Sequence, residues 1–292
     1  MAFTGNNAAI AEYYEVGTPS QGREFVFSDT DFHMLARFAH ERAGIFLPDS
    51  KRNLVYGRLS RRLRALGHNS FREYCEYLSS SGSEVQRFIN AISTNLTKFF
   101  RESHHFRHFD QTVVAPFSEN GSRRLRVWSA GCSTGEEPYT IAAVLKRKAS
   151  NRRDADIRIL ATDIDTDVLA TALRGEYPQS SVDEVPPVFR RMFVTKPGDG
   201  VDKVLIADDV RSLICFRHLN LIEAWPFRGT FDAIFCRNVM IYFDAPTKSR
   251  LLDRFAEQLK PGGWLYIGHS ESLTRSHPQL ELEGKTIYRR RA

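Results

Sequence analysis

Cysteine is scarce in this chain of 292 residues, and the four present, Cys75, Cys132, Cys215 and Cys236, form no CxxC pair. That spacing excludes a disulfide framework and a cysteine zinc site, and it fits a reducing cytoplasm. No stretch of about 18 apolar residues occurs, so membrane insertion is not expected. The N-terminus "MAFTGNNAAIAEYYEVGTPSQGREF" lacks a basic segment followed by an apolar run, so no secretory signal is expected there, and residues 1–22 read as a loose tail. Internal repeats and long low-complexity tracts are also missing.

What is present is an ordinary globular composition, 42% hydrophobic, long enough for two domains or for one with an appendage. The formal charge of +6 favours an acidic partner, whether nucleic acid, anionic lipid or an acidic protein surface. From Ser28 to about Asn95 the periodicity is helical throughout, in "SDTDFHMLARFAHERAG", "SKRNLVYGRLSRRLRALG", "SFREYCEYLSS" and "GSEVQRFINAIS". Residues 23–95 therefore predict a small all-helical domain, and residues 96–123 a turn and helix that link it onward.

From Arg124 the pattern changes to short apolar runs alternating with amphipathic helices, which predicts a parallel sheet covered on both faces, a doubly wound α/β domain over 124–292. Residues 178–212 break the rhythm. They hold a Pro-Gly-Asp-Gly turn between two strand-like runs, Arg191 to Thr195 and Lys203 to Ala207, and predict a small antiparallel insertion at one sheet edge.

The stretch "WSAGCSTGEEP" has the glycines of a phosphate loop, but Gly135 is followed by Glu136 and Glu137 rather than by lysine. Nor does "GCSTGEE" supply GxGxxG, and Glu137 at a helix start would repel a pyrophosphate. A ligand that approaches the backbone closely while carrying positive charge satisfies both facts. S-adenosylmethionine is such a ligand, with a sulfonium, an ammonium and no phosphate. On this reading Gly131 and Gly135 allow close approach and Glu137 attracts the cation. Asp163, at the end of "ATDID", accepts ribose hydroxyls, while Asn220 and Leu221, in "HLNL", flank adenine. Each acid alone is equally well a helix cap or dipole partner; their order at successive strand ends carries the reading.

The blocks "TNLTKFFRESHHF", "WSAGCSTGEEPYTIA", "ATDIDTDVL", "FDAIFCRNVMIYF" and "KPGGWLYIGHSESL" resemble, in order and over about residues 30 to 290, the chemotaxis receptor glutamate O-methyltransferases of the CheR type. The resemblance implies a Rossmann-like methyltransferase domain that moves a methyl group from S-adenosylmethionine to glutamate side chains of chemoreceptors, leaving S-adenosyl-L-homocysteine. It implies that Asn95, Thr97 and Arg101 reach the cofactor from the linker, and that Arg237 and Asn238 join Glu137, Asp163, Asn220 and Leu221 around it. Arg101 and Tyr242 are the pair expected nearest the transferred methyl. It further implies that Arg52, Arg58 and Arg62 recognise the receptor's acidic methylation region, and that the insertion is a β-subdomain which in some members clamps a receptor C-terminal peptide.

Chemically, a glutamate with a pKa near 4.3 is already an ionised nucleophile, so alignment and exclusion of water matter more than a general base. No metal is expected; His104 and His108 have helical i, i+4 spacing but no accompanying ligand motif. The basic segment around Arg58 would serve a nucleic-acid enzyme equally well. However, "CRNVMIY" has no proline pair of the kind found in many amino-methylating enzymes, which favours a carboxylate acceptor and no nucleic acid. Another methyltransferase and a cofactor-binding adaptor stay open as alternatives.

Overall fold

A computed structural model describes residues 22–119, 121–149, 152, 154–196, 203–273 and 276–292. The turn at 197–200 and, apart from Gly22, the N-terminal tail lie outside the described residues.

Four helices build the N-terminal unit: α1 (Asp29–Ala43), α2 (Arg52–Leu66), α3 (Phe71–Ser80) and α4 (Gly82–Ile92). Ser28 starts α1 reciprocally, since its hydroxyl accepts from Asp31 N at 3.1 Å and the Asp31 carboxylate accepts from Ser28 N at 2.9 Å. Both α1 and α2 stop at a left-handed glycine, Gly44 and Gly67. Val55, Leu59 and Leu63, at successive turns of α2, are fully buried with Phe32, Leu35, Phe71, Tyr74 and Phe88.

The flank of that apolar stripe explains two of the arginines assigned to receptor recognition. Arg62 grips the buried Glu84 of α4 through Nε at 3.0 Å and Nη2 at 2.7 Å, and Tyr74 donates its hydroxyl to the same carboxylate at 3.0 Å. Arg52 pairs with Asp29 and lies over the Phe32 ring at 5.0 Å. Both guanidinium groups are thus engaged within the chain, because long side chains beside a buried stripe reach acceptors on neighbouring helices. Lys51 and Arg61 are exposed cations of this segment with no side-chain partner among the described residues.

After the linker, α5 (Ser103–Phe109) runs through a π-turn at Asp110–Val114 into α6 (Ala115–Glu119). The α/β unit then comprises β1 (Arg124–Ala130), α7 (Glu136–Ala149), β2 (Asp156–Asp163), α8 (Thr166–Arg174), β3 (Glu176–Pro178), β4 (Phe193–Lys196), β5 (Lys203–Ile206), α9 (Asp208–Arg211) and β6 (Ile214–His218). It ends with β7 (Phe231–Cys236), α10 (Ala245–Gln258), β8 (Leu259–Ile267), β9 (Leu280–Gly284) and β10 (Ile287–Arg290). The large sheet has the order β6-β2-β1-β7-β8-β10-β9, and its first five strands are parallel. Along β1 and β7, Val127, Ala233 and Phe235 enter one core, while Trp128, Ile234 and Cys236 enter the core on the opposite face. Two buried faces are why these strands read as unbroken apolar runs.

The sheet is not parallel throughout: β10 runs antiparallel to β8, and β9 antiparallel to β10. In β9 only Leu280 is buried, so it carries no run that would mark it in sequence. The insertion forms a separate antiparallel sheet, β3-β5-β4, rather than an edge of the large one, and it takes in Glu176 and Tyr177 ahead of the expected boundary. A Pro-Pro step precedes the 3-10 turn Pro187–Met192 that leads into β4.

Removing one partner from the Arg62–Glu84 pair leaves a buried charge. Arg62→Ala is expected to destabilise the N-terminal helices by about 3 kcal/mol. Arg61→Ala should stay within about 0.5 kcal/mol. Hydrogen exchange of the α2 and α4 amides measures both; equal protection in the two variants would contradict the assignment.

Candidate active site

The chain leaves β1 toward β2 on one side and reaches β7 on the other, so the carboxyl ends of β1 and β7 form the switch point of the sheet. A cavity of about 320 Å³ opens there. It is bounded by Gly131 after β1, Glu137 on α7, Asp163 at the end of β2, Asn220 and Leu221 after β6, and Arg237 and Asn238 after β7. Asn95, Thr97 and Arg101 of the linker and Tyr242 complete the wall. Sequence reading therefore named residues that the fold brings together. Gly135 is the exception.

Gly131 turns the chain out of β1 at φ +84°, and a Cβ there would fall 2.3 Å from Val239 Cγ2. Gly135, at φ +101°, faces away from the cavity: a Cβ would meet the Tyr177 hydroxyl at 2.8 Å and Ala172 Cβ at 3.0 Å. Its missing side chain lets the loop pack against α8 and the small sheet, and Gly135 is not among the residues that bound the cavity.

The buried Glu137 accepts from the Ser129 hydroxyl at 2.7 Å and from Arg237 Nη1 at 3.1 Å. Burial pushes its carboxyl up, and Arg237 and the Ser129 hydrogen bond oppose the rise. Arg237 also donates to the Arg101 carbonyl and stands 3.6 Å from Glu102, so it ties β7 to both α7 and the linker. Asp163 accepts backbone N–H groups of Ser133 at 2.8 Å and Asp165 at 2.9 Å. Burial nevertheless raises its pKa to about 6. An ionised carboxylate offers about four acceptor positions, so two remain for a ligand's hydroxyls. Asn220 is less available: its amide nitrogen donates to the Arg42 carbonyl at 2.8 Å and to Glu223 at 3.0 Å, which joins α1 to the β6 loop.

The linker is stapled from both sides. Asn95 Nδ2 donates to Asp165, the N-cap of α8, at 2.7 Å, and the Ser133 hydroxyl donates to the Asn95 carbonyl at 2.9 Å. Arg101 Nη1 closes the loop on the Leu96 carbonyl at 2.7 Å, and the Tyr242 hydroxyl donates to the Thr94 carbonyl at 3.2 Å. From α2, Arg58 donates to the carbonyls of Ile92 at 2.6 Å and Ser93 at 2.7 Å and to the Thr94 hydroxyl at 2.9 Å. All three of those residues line the cavity. The third arginine assigned to receptor recognition is thus a strut of the cavity wall.

Two further residues escaped sequence reading. Glu271 is buried and accepts from the backbone of Asn238 at 2.8 Å, Gly268 at 2.6 Å and Ile241 at 3.0 Å, which shapes the loop bearing Asn238 and Tyr242. Its signal was "GHSE", a carboxylate three residues after a turn residue. Ser133 adopts φ +49° and bridges Asp163 to the linker, with no signature of its own. His105 is fully buried against Thr286 at 3.0 Å, and His108 meets the Tyr266 hydroxyl at 3.0 Å. Among the described residues, no group of three or more His, Cys, Asp or Glu side chains is arranged to hold a metal.

A switch-point cavity over five parallel strands, with an acid ending β2 and an acid on the first turn after β1, defines the class of S-adenosylmethionine-dependent methyltransferase domains. The comparisons are specific. Residues 95–289 match the family described as CheR methyltransferase, SAM binding domain, and residues 30–93 match its all-alpha domain. The chain belongs to the CheR methyltransferase family. It is 43% identical to chemotaxis protein methyltransferase 2 of Pseudomonas aeruginosa over 93% of this chain and 98% of that one. It is 41% identical to the chemotaxis protein methyltransferase of Escherichia coli over 89% of this chain and 91% of that one. A probable chemotaxis protein methyltransferase of Rhizobium etli is 45% identical over 80% of this chain and 88% of that protein. The activity is S-adenosylmethionine-dependent methylation in chemotactic adaptation.

Two outcomes follow for cofactor binding. An ionised Asp163 offers a ligand's hydroxyls more acceptor positions than a protonated one, and burial raises its pKa to about 6. Affinity for S-adenosylhomocysteine should be level above pH 7 and fall below 6, by up to about tenfold per unit, as calorimetry across pH will read. Arg58→Ala, which releases the linker, should weaken the same binding by about tenfold. Unaltered affinity would return Arg58 to a purely external role.

Proposed function

We propose that the acceptor is the side-chain carboxylate of a glutamate on the cytoplasmic region of a chemoreceptor, and that the product is its methyl ester. The observation that carries this reading is that both carboxylates lining the cavity, Glu137 and Asp163, are buried and bonded inward. Each already accepts two hydrogen bonds within the chain, so neither is an unpartnered base. An amine or alcohol acceptor would have to lose a proton there, whereas a glutamate arrives ionised at neutral pH.

When bound, S-adenosylmethionine supplies a methyl group on a sulfonium. That methyl would pass to a carboxylate oxygen of the acceptor, with the sulfur keeping the electron pair of the broken carbon–sulfur bond as S-adenosylhomocysteine and no proton transferred. Asp163 would hold the ribose, the linker Asn95, Thr97 and Arg101 would cover the ligand, and Glu137 with Arg237 would fix the end nearest β1. Arg101 and the Tyr242 hydroxyl, both at the cavity wall, would orient the incoming carboxylate. Alignment of this kind is worth about 7 to 11 kcal/mol in favourable systems.

No helix among the described residues is long and apolar enough to cross a membrane. Among the described residues β4 pairs only with β5, and Val194 on it is exposed. An extended receptor C-terminal peptide would add there as a further strand.

The test is transfer of labelled methyl groups to receptor-containing membranes, followed by mild alkali and collection of volatile methanol. Release of the label is expected. Label that survives alkali would mean a nitrogen or carbon acceptor, and binding of the cofactor without any transfer would mean an adaptor.

A further inference from the structure

Leaving a large apolar side chain in water forgoes roughly 1.5 to 3 kcal/mol, so clustered exposure needs a reason. Seven large hydrophobic side chains are exposed among the described residues, and three of them gather at the cavity mouth: Leu96 at 81%, Phe46 at 55% and Ile241 at 43%. Leu96 and Ile241 line the cavity, and Phe46 follows the lining residue Ile45.

These side chains are held out by pinned backbone. The Leu96 carbonyl is gripped by Arg101 at 2.7 Å, and its neighbour Asn95 is anchored to Asp165 and Ser133. Ile241 N donates to the buried Glu271 at 3.0 Å. Phe46 N donates to the Tyr242 carbonyl at 2.7 Å. Three chain segments, each pinned through its backbone, therefore present apolar groups around Arg101 and Tyr242.

We infer that Phe46, Leu96 and Ile241 form an apolar collar that docks the methyl acceptor itself, a helix whose glutamate is flanked by uncharged apolar side chains one turn before and after it. The inference rests on the proposed carboxylate acceptor. The occupant follows from position, because a segment that brings a carboxylate to Arg101 and Tyr242 must cover the collar. A helix fits because neighbours three and four residues away share the face of the acceptor. Charged neighbours would be desolvated against the collar at a cost, whereas apolar ones gain. Contact also expels water from the nucleophile. The exposed cations Lys51 and Arg61 stand on a different element, so the collar selects the immediate neighbours of the glutamate and the basic helix the wider acidic surface.

The experiment is receptor methylation by the full chain carrying Leu96→Ser with Phe46→Ser, beside Leu96→Met as the conservative control. The receptor KM should rise about tenfold in the double variant and little in the control. The rise should persist at 0.5 M salt, which screens a purely ionic contact. A receptor segment with lysines one turn from the glutamate should be a poor acceptor for the unaltered chain, with its relative disadvantage reduced in the double variant. Receptors that acquire alkali-labile label with an unchanged KM in the double variant would overturn the collar alone. An unaltered chain that puts no alkali-labile label on receptors would remove the carboxylate reading and, with it, the collar's occupant.

Discussion

A buried guanidinium demands polar partners, and Arg237 draws them from α7 and from the linker. It is 6% exposed at the end of β7, bonded to Glu137 on α7 and to the Arg101 carbonyl in the linker, faces Glu102, and lies 5.2 Å above the Phe106 ring. Leaving that charge unpaired would be prohibitive, so its demand for partners fixes where the first turn of α7 and the linker sit. The same pairing changes the meaning of the glutamate in "WSAGCSTGEEP". Glu137 is no bare anion waiting for a cation: it is half of a buried pair, with acceptor positions left over, and the charge of the pocket is set by both members.

The linker is the second structural consequence. It packs into the α/β core through Phe99 and Phe100, yet Arg58 holds its start from α2 while Asp165 and Ser133 hold Asn95 from the α/β unit. The Asn220 to Arg42 bond and the His40 to Asp244 contact at 2.9 Å add further ties across the same boundary. A perturbation of the helical unit is therefore felt at the cavity wall, and α2 serves as an outward basic surface and as an inward support at once. Deleting a charge from it tests both functions together unless cofactor binding is measured separately.

Much of the site was legible because strand ends are local in sequence. An apolar run stops, the next few residues sit at the carboxyl edge, and Gly131, Glu137, Asp163, Asn220 and Arg237 were found by that rule alone or with the family blocks. What was not legible depends on long-range partners. The "GHSE" pattern near Glu271 does not say that its carboxylate will organise Asn238 and Ile241, thirty and more residues away, and nothing near Asn220 announces the carbonyl of Arg42. The basic helix shows the same limit. Periodicity distinguishes the buried stripe of α2 from its charged flank, but a pattern of exposure cannot tell an arginine that faces solvent from one that reaches over to Glu84 or to a helix end. β3 and β9 were missed for a simpler reason: three residues, or one buried residue in five, leave no periodic signal.

A carboxylate nucleophile sets opposing demands that the mouth of the cavity meets together. Full hydration blunts it, and a strong bidentate ion pair would blunt it as well by stabilising the ground state. Arg101 already donates one nitrogen to the Leu96 carbonyl, and Tyr242 donates its hydroxyl to Thr94, so both groups are oriented before any acceptor arrives and neither is wholly free to clamp it. Reactivity must then come from removing water rather than from adding charge. That is the physical reason to surround two polar groups with apolar side chains: a glutamate pressed between them loses its hydration while gaining only a few directed hydrogen bonds, and it keeps most of its nucleophilic character at the moment it lies in line with the methyl group.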